Sequence, residues 1–247
     1  MKTTDDEKKE EDNRTLCSPK EMMKSLKNIF SGIRHEIGNP INSIKMTVSV
    51  LKENIDQYPR DKIIEYIDRV LTETDRIEYL LKSLKNFSMY EELSISNFEL
   101  PTFVGHLLEQ ISPDLEPKGI HLKYHIEPDV GNIHCDARAI QQILQNIINN
   151  AVDSLEGIKS PVISINVAKI PGFRRFIITD NGCGISPAHE EDIFKPFFST
   201  RPRKTGLGLS IVQTILARIG GTILIHSEVD KGTSVIFHIP EDCRDSV

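Results

Sequence analysis

At 247 residues, 38% hydrophobic and 27% charged, the chain suits two modest soluble domains with real cores. A net charge of −6 gives no reason to expect nucleic acid, which favours basic surfaces, and no apolar run approaches the roughly eighteen residues of a membrane helix. The acidic N-terminus is no signal peptide, and Cys17, Cys135, Cys183 and Cys243 form no CxxC pair, so reduced thiols in a cytoplasmic protein are expected and zinc is not.

Residues 1–18, charged and with almost no apolar side chains, are expected to form a flexible head. Ser18 and Pro19 then supply an N-cap and a first-turn proline. Apolar residues follow at Leu26, Phe30, Ile33, Ile37, Ile44, Val48, Leu51 and Ile55, stop around Pro59, and resume at Ile63, Ile67, Val70, Ile77, Leu81 and Leu84. Such spacing predicts two long helices with heptad-like seams, an antiparallel hairpin over 19–92. Ile64, Leu71, Leu80 and Phe87 widen the stripe beyond what one hairpin can bury, so pairing of two copies into a four-helix bundle is expected. The alternative cover is the chain's own second domain.

A hinge is expected at 93–96, within the stretch Phe87–Ser96, and a second domain at 97–241 with a tail at 242–247. Ile95–Leu100 reads as a strand, 101–112 as a helix bounded by Pro101 and Pro113, and Ile120–Ile126 as a strand. A helix from Ala137 to about Leu155, paired strands over 162–169 and 173–179, a helix near 207–219 and strands over 222–228 and 233–239 complete the pattern. The fold class expected is α+β, a helical hairpin followed by an α/β sandwich with helices on one sheet face.

Four short blocks carry the chemistry. In His35-Glu36-Ile37-Gly38-Asn39-Pro40, the helical turn of about 100° per residue sets His35 opposite the stripe of Ile33 and Ile37. A neutral imidazole nitrogen can attack phosphorus, and the adjacent Glu36 carboxylate can fix the tautomer and absorb developing charge. Asn39, four residues on, shares the face of His35, while Pro40 removes a helical hydrogen bond. Asn146 and Asn150 are one turn apart with Asn149 beside them, and amide oxygens suit a hard cation such as Mg²⁺. In Asp180-Asn181-Gly182-Cys183-Gly184 a carboxylate follows a strand, and its glycines allow close backbone approach. Finally, Thr205-Gly206-Leu207-Gly208-Leu209 opens a helix whose free N–H groups can hold phosphates.

In that order the blocks resemble the H, N, G1 and G2 boxes of sensor histidine kinases, a resemblance covering roughly residues 20–240. It implies a dimeric phosphoacceptor hairpin and an ATP-binding domain of the Bergerat type, with ATP and Mg²⁺ as cofactors. By resemblance His35 is the acceptor, Asn150 the principal metal ligand with Asn146 assisting, and Asp180 the reader of adenine. Phe194–Arg201 is similar to the family's F box, followed by a lid in which Arg201, Arg203 and Lys204 are candidates for phosphate, Arg201 foremost. In one subgroup an Asn at the position of Asn39 directs water for dephosphorylating the partner, so phosphatase activity toward a response-regulator receiver domain is expected. Many members carry membrane or sensor segments; none is recognisable here, so the signal input is expected to be missing or to come from another protein.

There are two departures. Lys204 stands where the family usually has a glycine, and Asp153-Ser154 replaces the Lys-Tyr or Lys-His of many members. They leave open a phosphatase-biased or scaffold regulator with weak kinase activity. A hydrolytic ATPase of the gyrase–chaperone kind is disfavoured, because Asn146 occupies the position of its water-activating Glu.

Overall fold

The computed structural model describes residues 19–88, 93–201 and 204–243, with side chains from Ile37 onward except at 79–80 and 82–88. Two compact units result, one spanning Met23–Glu91 and the other running from Glu92 to the C-terminus.

The helical unit consists of α1 (Pro19–Asn54) and α2 (Arg60–Ser88). Pro40 is accommodated inside α1, buried. Asn54 ends that helix: its carbonyl accepts the N–H groups of Gln57 and Tyr58 at 2.9 and 3.0 Å, and its side-chain amide donates back to Val50 O. Pro59 then opens α2, its carbonyl accepting from Lys62 and Ile63. Ile44, Leu51, Ile63, Val70 and Ile77 are half-buried. Val48, Ile55, Ile67 and Leu81 of the expected seams remain exposed, as do Met46, Ile64 and Leu71. Two helices can shield only one face of each other, and a wider stripe leaves its remainder in water.

The second unit begins with β1 (Ser96–Glu99) and α3 (Leu100–Leu115). After a 3-10 turn come β2 (His121–Ile126), β3 (Asn132–Cys135) and α4 (Ala137–Ser154). The hairpin of β4 (Val162–Ile170) and β5 (Phe173–Asp180) follows, then α5 (Gly208–Arg218), β6 (Thr222–Glu228) and β7 (Gly232–Pro240). The main sheet has the order β2-β4-β5-β7-β6; β2 and β4 are parallel across α4, and every other pair is antiparallel. Strand periodicity buries Ile163, Ile165 and Val167 of β4 while Ser164 and Asn166 face water. In register, Val167, Phe176 and Phe237 form one row and Ile165, Ile178 and Val235 the next. Phe176 and Phe237 stack with ring centroids 4.7 Å apart. Against this face lie Ile140, Ile143, Leu144, Ile147 and Ile148 of α4 and Ile211, Val212 and Ile215 of α5. The expected sandwich, with helices on one sheet face, is the architecture found.

Three local features differ from the sequence reading. Pro113 lies inside α3 rather than ending it: it forfeits one hydrogen bond in the last turn, while Leu115 draws that turn into the core. Strand β3, not anticipated, pairs antiparallel with β1. The expectation of reduced thiols holds at exposed Cys183 but fails at Cys135 and Cys243, which, with Cα atoms 4.9 Å apart, are disulfide-bonded. Linear spacing could not reveal that pair. Residues 241–243 run along β3, where His134 N–H donates to Glu241 O and Cys243 N–H to His134 O at 2.9 and 2.8 Å. Buried Arg174 secures the same corner, donating to Val130 O, Asn132 O and the Glu241 carboxylate.

Candidate functional site

Helix α4 is the backbone of the site, and its first residue is fixed by a buried carboxylate. Asp136, the N-cap, accepts the Arg138 backbone N–H at 2.9 Å and the Arg138 guanidinium at 2.7 Å. It also accepts the Ser94 N–H at 2.8 Å, tying the start of this unit to the start of α4. Burial pushes the Asp136 carboxyl up, but these donors and the Arg138 charge outweigh it and hold the group below the usual carboxylate range.

One face of α4 packs on the sheet, and Asn146 and Asn150 lie off it, half-buried and exposed respectively. The Asn146 amide nitrogen donates to Gln142 O at 2.9 Å, which turns Oδ1 outward. A Cβ placed on Gly208 would sit 3.4 Å from that Oδ1 and 3.6 Å from the Asn150 side chain. The first glycine of α5 and both asparagines therefore border one small space, kept open because residue 208 has no side chain. The N-cap of α5, Leu207, offers no side-chain hydrogen bond, and a helix start leaves its first N–H groups without an intrahelical acceptor. Thr205, Gly206, Leu207 and Leu209 flank it as the sequence anticipates; Leu207 is buried and the others half-buried.

Asp180 comes to the same end of α4 through strand periodicity. Phe176, Ile178 and Asp180 share the buried face of β5, so the last of them turns its carboxylate toward the helical layer. There its Oδ1 accepts the Ser154 hydroxyl at 2.8 Å and the Gly182 N–H at 2.9 Å. Burial raises the carboxyl above its usual range, while Ser154, Gly182 and the Thr233 backbone pull it part of the way back. Ser154 O accepts the Cys183 N–H at 3.1 Å, joining this loop to the helix end. A Cβ on Gly182 would lie 2.6 Å from Ser154 O and collide with its hydroxyl, so only glycine fits there. Gly184 closes the loop, with Ile185 N–H donating to Ser227 Oγ at 2.8 Å.

The lid segment is stapled at its base. Phe197, at φ 67°, donates its N–H to Gly206 O at 3.0 Å, and Gly206 itself has φ 65°. Arg201 pairs with Glu156 at 3.1 Å, and Lys204 pairs with Asp153 at 2.7 Å. The two departures noted in the sequence are thus complementary: the unusual cation of the lid meets the unusual anion of α4. Arg203 lies outside the described residues, as do the side chains of His35 and Glu36, whose backbone belongs to α1. Asn39 is exposed on that helix.

The structure thus sets Gly208 beside Asn146 and Asn150, and sets Asp180 and Gly182 beside Ser154 at the C-terminal end of the same helix; Gly206 packs on Phe197 and Phe198, and Gly184 on Glu228. Sequence reasoning named Ser154 only as a departure, although Asn146, Asn150 and Ser154 recur at four-residue steps and so share a helical face. Glu156 carried no local signal, since its partner Arg201 is distant along the chain, whereas Asp136 carried one that sequence reasoning passed over, an N-cap aspartate directly before the helix that opens at Ala137.

Comparison with known proteins follows the same division. The His Kinase A (phospho-acceptor) domain matches residues 25–93, and the histidine kinase-, DNA gyrase B- and HSP90-like ATPase domain, which implies ATP binding, matches residues 135–242. Sensor histidine kinase ZraS of Klebsiella oxytoca is 30% identical over 223 residues, 90% of this chain and 47% of that protein. Sporulation kinase C of Bacillus subtilis is 28% identical over 226 residues, 90% of this chain and 50% of that protein. The chain spans about half the length of the curated relatives it matches. In fold it is similar to histidine kinase ThkA, solved in complex with the response regulator protein TrrA, with a TM-score of 0.68 and 22% identity over 94% of this chain and 66% of that one. Among the described residues no helix is long and apolar enough to cross a membrane. The chain belongs to the sensor histidine kinase family, with a phospho-acceptor domain in its helical unit and an ATP-binding domain in its sheet-bearing unit.

Proposed function

We propose that the chain is an ATP-dependent protein-histidine kinase that phosphorylates His35 and passes the phosphoryl group to an aspartate of a response-regulator receiver domain. The observation that carries this reading is the convergence of Asn146 and Asn150 on the side-chain-free Gly208. Asp180 sits at the C-terminal end of the same helix, bonded to Ser154. This arrangement suits a nucleotide held by base and phosphates at once.

In the first step a lone pair on an imidazole nitrogen of His35 attacks the γ-phosphorus of ATP. An N–P bond forms, the bond to the β,γ-bridging oxygen breaks, and ADP leaves with that electron pair. Glu36 accepts the ring's other N–H and stabilises the charged imidazole. In the second step a carboxylate oxygen of the receiver attacks the same phosphorus, and the N–P bond breaks to return a neutral His35. The amide oxygens of Asn146 and Asn150 fit Mg²⁺, which when bound would neutralise phosphate charge. Lys204 and Arg201 supply further positive charge from the lid. Asn39 would direct a water against the receiver's acyl phosphate, giving the chain phosphatase activity as well. Its exposure on α1 is consistent with that role.

The exposed Ile64, Ile67 and Leu71 of α2 and Met46 and Val48 of α1 favour a homodimer, in which a second hairpin completes a four-helix bundle. The crystallised partner of ThkA supports a receiver as the phosphoryl acceptor. Such a kinase works where ATP is, in the cytoplasm. Hydrolysis by activated water is disfavoured, since the Asn146 amide cannot take a proton at neutral pH.

Incubation with Mg²⁺ and γ-labelled ATP tests the reading. Acid-labile, alkali-stable label is expected on the parent chain and none on His35→Ala. Nucleotide binding without label on either chain would sink the autokinase and favour a phosphatase-biased regulator.

A further inference from the structure

We infer that Ser154 sets the base preference of the nucleotide site by holding Asp180 as an aimed hydrogen-bond acceptor, a positioning role that rests on the reading of Asp180 as the adenine contact. A carboxylate offers about four acceptor positions. Ser154 O–H and Gly182 N–H occupy two on Oδ1, and the Thr233 backbone also favours the ionised form. The positions on Oδ2 remain for the exocyclic amine of adenine. Because Asp180 is buried, with 7% of its surface exposed, losing any of these donors is felt strongly.

The hydroxyl of Ser154 has a second acceptor within reach, Ala151 O at 2.7 Å, and only one proton to give. While Asp180 is ionised, the charged oxygen is the stronger acceptor and takes that proton. If Asp180 were protonated, the neutral carboxyl would no longer draw the serine proton, which would turn to Ala151 O, and the carboxyl O–H would be free to face the base. The carboxyl would then present donor character, which suits a carbonyl-bearing base rather than an amine-bearing one. Ser154 therefore biases the site toward adenine over hypoxanthine. The groups facing Asp180 are Ser154 from α4, Gly182 from the loop, Thr233 from β7 and Ile163 from β4, none of them charged. Ser154 is thus the side chain that opposes the effect of burial. Its carbonyl also receives Cys183 N–H, so the same residue fixes the distance between the base-reading loop and the helix bearing Asn146 and Asn150.

The test measures ADP and IDP affinities of the full chain from pH 5 to pH 8 for the parent, Ser154→Ala, Ser154→Thr and Asp180→Asn, each first checked by thermal melting. Ser154→Ala is expected to weaken ADP about ten-fold at neutral pH, the scale of one hydrogen bond to a charged group. It should also shift the acid loss of ADP binding to higher pH and narrow the preference over IDP. Ser154→Thr, which keeps the hydroxyl, should restore all three. If Ser154→Ala keeps the parent's pH profile and preference while Asp180→Asn loses the preference, Ser154 has no such role and the adenine reading survives. A pH-independent loss for both nucleotides that Thr fails to restore marks a merely structural role and overturns the proposal. If Asp180→Asn retains the preference for ADP, the adenine reading itself falls.

Discussion

Asp153→Asn should strengthen triphosphate binding, because it releases a lid cation now held by α4. Lys204 Nζ lies 2.7 Å from Asp153 Oδ2, with side-chain exposures of 46% and 25%. The neighbouring pair, Arg201 with Glu156, is more open, since Glu156 is 84% exposed. Ion pairs this accessible contribute about 0.2–1 kcal/mol after screening and side-chain ordering. The half-shielded Lys204 pair belongs near the top of that range and the Arg201 pair near the bottom. Freeing Lys204 therefore predicts a gain in ATP affinity of about two- to five-fold, using the usual ten-fold per 1.4 kcal/mol. A non-hydrolysable ATP analogue and AMP would be titrated side by side at low ionic strength and at about 0.5 M salt, where screening lengths drop to a few ångströms. The gain should appear for the triphosphate, shrink in salt and be absent for AMP, whose base contacts lie away from the lid. An equal gain for AMP, or weaker triphosphate binding, would refute this account of the lid.

Two further outcomes follow from the same geometry. Asp136→Ala removes the N-cap of α4 and the buried acceptor shared by the Ser94 N–H and the Arg138 backbone and guanidinium, so denaturant titration should find a loss of about 2–3 kcal/mol. Because the folded-state pKa of Asp136 is depressed, its contribution is complete above the usual carboxylate range near pH 4. That contribution drains away as pH falls through the depressed value, so the variant should lack this part of the parent's acid destabilisation. Gly208→Ala places a methyl 3.4 Å from Asn146 Oδ1 in the space between the asparagines. Nucleotide affinity should fall about ten-fold or more while the melting temperature holds or rises, since alanine is the better helix residue; an unchanged affinity would remove Gly208 from the site.

Much of the molecule was legible in its sequence because the governing signals are local. Heptad-like spacing from Ile37 to Ile77 fixes two helices, and the alternation Phe176, Ile178, Asp180 both defines β5 and places its last carboxylate on the core face. Asn146 and Asn150, one turn apart on α4, and the glycines opening α5 are likewise short-range patterns. Strand β3 escaped because four residues flanked by loops carry too little periodicity, and its pairing with β1 spans a whole helix and strand. The Cys135–Cys243 bond, the Lys204–Asp153 pair and the Ser154 contact with Asp180 escaped for a related reason. Each joins residues far apart along the chain, and side-chain type alone does not say which partner a thiol, an ammonium or a hydroxyl will meet. The sequence by itself determined every described α-helix and strand of that local kind, β3 excepted, together with the hairpin stripe and the residue types of the nucleotide site. Only the tertiary structure decided the partners, because burial and hydrogen bonding between distant segments depend on how the sheet and its helices are stacked.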